Sequence, residues 1–470
     1  MNYAEQRRYL AQSRIWAVAL AVVWVLACAA VLAIIRMPVS SAIALGLVAI
    51  GIACSLLYAP DYLHLTVNLV KRARWQVMIR WRILGIVLIV GLALPLSTGQ
   101  GHRLKDSIVL LLTISWLITA NLAARKLQGR SGLAAYFWIS DWAVLTALLF
   151  LLNYDGLVIA GFFAVAAHLS ILGRERQIFP WAITVMASAW LTLMVAIRIR
   201  GLEPVFFLFG AAMILVSGLA TAFLVQRAQE HNARNTQAAL QELMEFSGYP
   251  EEKVRRLWSE SDKELARNWV SAALDENDSQ ALAEWYKQNS ELYMFAISGY
   301  NLDYKRIRSN LKVLQFGRGA CLDYGAGNGE VILELARRGH PTAYYDVDGV
   351  SARFAQWRSK QRGLEVEFFH AKEPLAAAAS QRPFDTVFSL DVLEHLPDLP
   401  GELTFLASLL NSGGVLVFDV PAGTTKSHPM HLNHQVEVRS LLMSKGMKEQ
   451  RSSIYKLPFV KQEKYVFVAS

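Results

Sequence analysis

Hydropathy divides this chain before any motif does. Apolar residues crowd the stretch before Arg227, and beyond it charges are interspersed as in an ordinary water-soluble protein. A helix needs about 20 predominantly apolar residues to cross the hydrocarbon core of a bilayer. Eight stretches approach that length, at about 15–35, 41–59, 83–99, 107–124, 133–152, 157–173, 179–197 and 204–225. The third and sixth are short, so six crossings is the other available count. Residues 1–226 are therefore expected to form an all-α polytopic membrane domain of about eight helices. The run from Ile15 follows the basic segment MNYAEQRRYLAQSR and is too long for the core of a cleaved signal peptide, so it is read as a retained first span.

Loop charge gives the expected orientation. With the N-terminus in the cytoplasm, fifteen basic residues, from Arg7 to Arg234, fall on the cytoplasmic side, against Arg36, Arg103, Lys105, Arg198 and Arg200 outside. This is the bias of the positive-inside rule. An even number of spans then returns the C-terminal part to the cytoplasm, so a bacterial inner membrane with both ends inside is the expected location. The formal charge of +9 fits basic loops meeting anionic lipid headgroups. No aromatic–basic stripe or helix-turn-helix pattern accompanies it, so nucleic acid is not an expected partner. Cys28, Cys54 and Cys321 form no CxxC pair, which leaves no disulfide framework or cysteine-based metal site. Asp141, within FWISDWAVLTALLF, is read as a packing or interfacial carboxylate, with a ligand or proton site as the alternative.

Residues 227–308 are polar and carry helical periodicity. QRAQEHNARNTQAALQELMEF lacks Pro and Gly, and Pro250 opens a fresh helix. This region is expected to be a linker and an N-terminal helical cap on a third region, residues 309–470.

In that third region, Ala320-Cys-Leu-Asp-Tyr-Gly-Ala-Gly-Asn-Gly-Glu330 reads as a buried strand, a Gly-rich turn and a helix start. Gly325, Gly327 and Gly329 permit a sharp turn and a close backbone approach to a ligand, and the helix N-terminus offers free N–H groups to a carboxylate. About twenty residues on, TAYYDVDG ends in a carboxylate able to accept both hydroxyls of a ribose. Asp346 is the first candidate, and Asp348 would share its face if the strand continued. A further strand, FDTVFSL, leads into DVLEHL. Strand-like VEFFHA, VLVFDVP, QRSSIYKL and KYVFVAS alternate with helical VSARFAQWRSKQ, ELTFLASLLNS and HQVEVRSLLMSKG, a pattern of parallel, doubly wound α/β folds. The last two strands lack an intervening helix and are expected to pair as a hairpin.

The DYGAGNG turn, the acidic end of the next strand and FDTVFSLDVLEHL together resemble class I S-adenosylmethionine (SAM)-dependent methyltransferases, closest to those acting on small molecules and lipids. The resemblance covers about residues 293–470. It implies a seven-stranded sheet ending in a reversed strand, and SAM as cofactor. Asp323 and the three glycines would shape the methionine end of the pocket, Asp346 would hold the ribose, Tyr293 would lie over the cofactor, and Asp391 would stand where the transferred methyl points. The segment FFHAKEPL departs from the family pattern, having no acidic residue directly after the third strand to meet the adenine.

Methyl transfer to a hydroxyl needs positioning and a base. His395, His431 and Asp391 are the expected catalytic residues, with Glu394, His428 and His434 as further candidates. The histidines of PAGTTKSHPMHLNHQ, three residues apart, are read as acceptor-pocket groups, and no metal is expected, because loop spacing alone does not converge ligands. The expected protein is an integral membrane methyltransferase acting on a small-molecule or lipid acceptor at the cytoplasmic face, with membrane lipids as surroundings. Its alternatives are a membrane sensor controlling a methyltransferase output and a SAM-binding domain without transfer. Oligomeric state is not legible.

Overall fold

A computed structural model describes residues 3–34, 204–302, 304–420, 428–450 and 464–469, with a few single positions besides. The chain divides into two units, Gln6–Ala233 and Arg234–Ser470, the latter joined by Met1–Glu5. Most of the eight apolar stretches fall outside the described residues. The first lies on the helix Tyr3–Ile34 and the last on the helix Pro204–Ser247. Among the described residues, no helix is long and apolar enough to cross a membrane. Within the first unit the Tyr9 and His231 rings stack at 3.8 Å, while Ile15, Val22, Val23 and Leu26 are exposed.

The second unit is built on a seven-stranded sheet of order β3-β2-β1-β4-β5-β7-β6. The strands are β1 Cys321–Tyr324, β2 Thr342–Tyr345, β3 Glu367–Phe369, β4 Phe384–Ser389, β5 Leu410–Asp419, β6 Lys448–Glu449 and β7 Lys464–Val468. β1 to β5 pair in parallel, and β7 runs antiparallel to both β5 and β6. Side chains alternate across a strand, and the core divides accordingly. Leu322, Val387, Leu416, Phe418 and Phe467 pack on one face with the helix Leu399–Ser408. Cys321, Phe388, Val415, Val417 and Val466 pack on the other with the helices Glu330–Arg337 and Val350–Gln361. This is the doubly wound sheet expected of residues 309–470, with its reversed strand.

Two boundaries move. ELTFLASLLNS is expected to be helical to Ser412, yet the helix ends at Ser408 and β5 begins at Leu410. The Leu409 carbonyl accepts from Phe384 N at 2.9 Å, so sheet pairing captures residues that local periodicity assigns to a helix. The strand expected at QRSSIYKL lies, past Gln450, outside the described residues; β6 is Lys448–Glu449.

The cap helices pack on this sheet domain. Glu251–Ala272 starts at Pro250, which needs no N–H there. Asp278 caps Ser279–Gln288 by accepting from Gln280 N and Ala281 N. Ser290–Asn301 buries Met294 and Phe295 against Phe354.

Candidate active site

The cofactor turn follows β1 directly. Gly325 has φ +74°, and a Cβ there would stand 2.4 Å from Val392 Cγ2, so only glycine fits. Gly325 N and Ala326 N donate to the Tyr345 carbonyl at 2.8 and 3.1 Å. Gly327 N donates to Asp346 Oδ2 at 2.6 Å and Val347 N to Asp346 Oδ1 at 2.7 Å. Each carboxylate oxygen keeps a lone pair for another donor. Tyr344 Oη donates to the Gly327 carbonyl at 2.7 Å, closing the turn from below.

A cleft of about 100 Å³ opens beside this turn, and Asp323, Gly325, Gly327, Arg306 and Asp391 are among its lining residues. Asp323 is 4% exposed. Burial raises its carboxyl to about 7, with Arg306 opposing and Asp346 adding to the rise. Arg306 forms an ion pair with Asp391. Asp391 adopts φ +56°, a left-handed conformation that costs most residues about 1–2 kcal/mol and that Asp tolerates better. Its N–H donates to Asp419 Oδ1 at 2.6 Å, which holds it at the mouth of β4.

Beyond Asp391 the chain assembles a second group. Tyr286 Oη lies 2.9 Å from His395 Nδ1, and the Met430 carbonyl is 3.2 Å from the same nitrogen. A carbonyl can only accept, so Nδ1 carries the proton and Nε2 keeps its lone pair. Nε2 stands 4.0 Å from Glu394 Oε1. The His395 and His431 rings are 4.8 Å apart, and those of His431 and His428 are 5.1 Å apart. Burial, then the neighbouring His431, pushes His395 down to about 3, and burial, then His428, lowers His431 to about 4. Glu394 is fully buried, and among the described residues neither carboxyl oxygen has a hydrogen-bond partner. Burial raises it to about 9, with Asp419 and Asp391 adding to the effect.

Ligand atoms of Glu394, His395 and His431 lie within 4.8 Å of one another. One carboxylate and two imidazoles form a donor set suited to a divalent cation, and a hydrogen-bonded Nδ1 with a free Nε2 is the arrangement a metal-ligating histidine usually shows. Spacing in the His428–His434 loop does not lead to this grouping. It takes one loop histidine and draws the other two ligands from DVLEHL.

The remaining expected residues are spread out. Tyr293 does not line the cleft; Ile297 and Tyr300 of the same helix do. Tyr293 instead joins Tyr286 at 5.5 Å and Trp285 at 6.2 Å. It stands about 6 Å N-terminal of Ile297 along the helix axis, on the side of His395. Asp348 does not join the cleft either. β2 ends at Tyr345, and Asp348 turns outward, 3.9 Å from Arg353 with 62% of its side chain exposed. Gly329 and Asp346 support the turn without lining the cleft. His370 takes a backbone role, with Nδ1 2.9 Å from the Asp346 carbonyl oxygen. Arg306, Tyr286 and Asp419 are functional candidates that no motif signals. Arg306 alone had a local cue, as a basic residue on the amphipathic helix Tyr304–Val313 just before β1.

Residues 299–455 match the family model of a methyltransferase domain. The C-terminal region is a SAM-dependent methyltransferase domain of class I. The ubiquinone biosynthesis O-methyltransferase of Xanthomonas euvesicatoria pv. vesicatoria (strain 85-10) is 28% identical over 149 residues, 32% of this chain and 60% of that protein. The protein of the same name from Ruegeria sp. (strain TM1040) is 31% identical over 109 residues, 23% of this chain and 44% of that protein. This chain thus spans 60% of the first relative's length and less of the second. Magnesium protoporphyrin IX methyltransferase from Synechocystis PCC 6803, solved with bound SAM, aligns with 42% of this chain and 99% of its own at 21% identity and a TM-score of 0.34. SAM is the cofactor of the methyltransferase domain.

Proposed function

We propose that the protein transfers a methyl group from SAM to a hydroxyl of a small, lipid-soluble acceptor, at the cytoplasmic face of a membrane in which residues 1–226 are embedded. The reading is carried by the turn in which Asp346 grips Gly327 beside a cleft ending at Asp391 and Arg306. SAM supplies an electrophilic methyl on a sulfonium, so the reaction needs no further activation of the donor. Asp346 retains acceptor capacity for ribose hydroxyls. Arg306 is the cationic group in the cleft and suits the methionine carboxylate. Asp391 lines the cleft, and His395 and His431 lie beyond it, on the side assigned to the acceptor oxygen.

As the oxygen–methyl bond forms and the sulfur–methyl bond breaks, the hydroxyl proton must leave. Imidazoles held at about 3 and 4 take up protons poorly. A role for His395 and His431 in orienting the hydroxyl, or in holding a cation that acidifies it, therefore fits better than unaided general-base catalysis. An oxygen acceptor of quinone type is supported by relatives named for O-methylation in ubiquinone biosynthesis. Membrane embedding is supported by the eight apolar stretches, the fifteen-to-five division of basic residues and the exposed apolar face of Tyr3–Ile34.

Titration of the full-length protein with SAM tests the first part. Saturable binding that Asp346→Ala weakens on the order of 100-fold is expected, and a folded wild type that binds no SAM rejects the proposal. Fractionation of cells tests the second: recovery of the chain in membranes after a carbonate wash is expected, and release by the wash rejects embedding.

A further inference from the structure

One buried arginine joins the connector helix to the cofactor turn. Leu240 and Leu243, late in Pro204–Ser247, are buried in a cluster with Phe295 and Phe354. Beside this apolar seam, Glu242 reaches Arg358, which is 2% exposed. Three groups surround that guanidinium. Nη1 donates to the Asn328 carbonyl at 2.7 Å, Nη2 meets Glu330 Oε1 at 2.7 Å, and Nε lies 3.2 Å from Glu242 Oε2. Glu242 also pairs with Arg362.

Asn328 and Glu330 flank Gly329, which has φ +75° in the cofactor turn. The Asn328 amide is tied on its other side to the Met294 carbonyl at 2.8 Å and Ser298 Oγ at 2.9 Å. The turn is therefore held between two elements of the cap and connector. Next to it lies a second cavity of about 480 Å³, between the connector and the sheet domain. Glu330 and Asn301 line both this cavity and the cofactor cleft.

A planar guanidinium holds its two Nη groups on Asn328 and Glu330 at fixed angles, which an ammonium cannot, while Glu242 faces Nε as an ion pair. Its placement depends on all three. Removing one carboxylate leaves the charge under-compensated and draws it towards the remaining one or into the cavity. Either movement shifts the Asn328 carbonyl and the Glu330 carboxylate, and the turn moves with them.

We propose that Glu242 is a positioning residue for SAM: from the connector it fixes Arg358 where that side chain braces Asn328 and Glu330 of the cofactor turn, so connector docking and SAM binding are linked. The proposal rests on the reading of this turn as the SAM site. Linkage is reciprocal, so bound SAM must tighten the docking of the connector by the same factor.

Two measurements on the full-length protein test it. In calorimetric titration with SAM, Glu242→Gln should raise the dissociation constant at least about 5-fold, the lower range of coupling between sites. Glu245→Gln should leave it unchanged, since the exposed Glu245 pairs within its own helix with Gln241. In hydrogen exchange on the wild type, SAM should slow exchange across residues 236–246, and Glu242→Gln should remove that protection. A folded Glu242→Gln protein that binds SAM as the wild type does overturns the proposal. So does a wild type that binds SAM without any change at 236–246, a result that stands even where the variant does not fold. A wild type that binds no SAM rejects the methyltransferase reading itself, which separates the two failures.

Discussion

The cofactor turn and the Glu394–His395–His431 group beyond Asp391 are built by opposite means. On the cofactor side, backbone geometry does the work: Gly325, Gly327 and Gly329 turn the chain, and Asp346 and Tyr344 hold the turn with bonds of 2.6 to 2.7 Å. In the group of Glu394, His395 and His431, side chains do it, and they are incompletely satisfied. Glu394 is buried with neither oxygen bonded among the described residues, and His395 and His431 are held neutral by burial. A satisfied site is preorganised for a ligand that does not vary. An unsatisfied buried carboxyl carries a cost of about 1–3 kcal/mol, which a bound cation or donor would recover.

The largest effect expected from breaking this contrast is at Gly325. A Cβ would meet Val392 at 2.4 Å in a left-handed conformation, so Gly325→Ala should destabilise the domain by about 2–4 kcal/mol and abolish SAM binding. Thermal melts and calorimetry read both. Asp346→Ala removes two backbone hydrogen bonds together with the acceptors for ribose. SAM affinity should fall on the order of 100-fold, the equivalent of one or two hydrogen bonds to a charged group.

Glu394 sharpens the comparison through pH. Its folded pKa is about 9 against an ordinary 4.5, so between those values the folded state holds a proton that the unfolded state has lost. Stability should therefore decline as pH rises through that window, and Glu394→Gln should flatten the decline. His395 and His431 act in the opposite sense. Their lowered pKa values should cost stability as pH falls below about 6.5.

An effect of comparable size, but set by the cation concentration, is expected from cation binding. Saturating Zn²⁺ or Mn²⁺ at about 100 times its dissociation constant should add about 3 kcal/mol to wild-type stability, and His431→Ala should remove most of that gain. An unchanged melting temperature in the wild type would exclude the cation reading. The smallest expected effect is that of Tyr286→Phe, which removes one hydrogen bond to His395 and should cost about 1 kcal/mol in stability. SAM affinity should stay the same, because Tyr286 lies outside the cofactor cleft.

What was legible in the sequence follows the same division. The cofactor turn occupies contiguous residues whose types report backbone conformation directly, so DYGAGNG and Asp346 stand out, and the alternating strands foretell the sheet. The acceptor side depends on contacts between distant positions: Tyr286 with His395, Arg306 with Asp391, Asp391 with Asp419. No local period encodes those. The family resemblance places Tyr293 over the cofactor, but the helix face that carries it meets the cleft a turn later, at Ile297. Asp348 failed to share a face with Asp346 because β2 ends at Tyr345, before strand alternation could align them.

The reversed strand carries a consequence for how the domain is made. β5 lies beside β4 on one side and depends on β7, Lys464–Val468, for its other edge. Chains emerge from the ribosome in sequence order and fold as they appear. All five parallel strands are therefore available while β5 still presents Val415 to Asp419 as an open ladder, a template for pairing with another nascent chain. The last strand to be synthesised is the one that closes the sheet, and loss of residues 464–468 should show itself as aggregation before it shows as lost SAM binding.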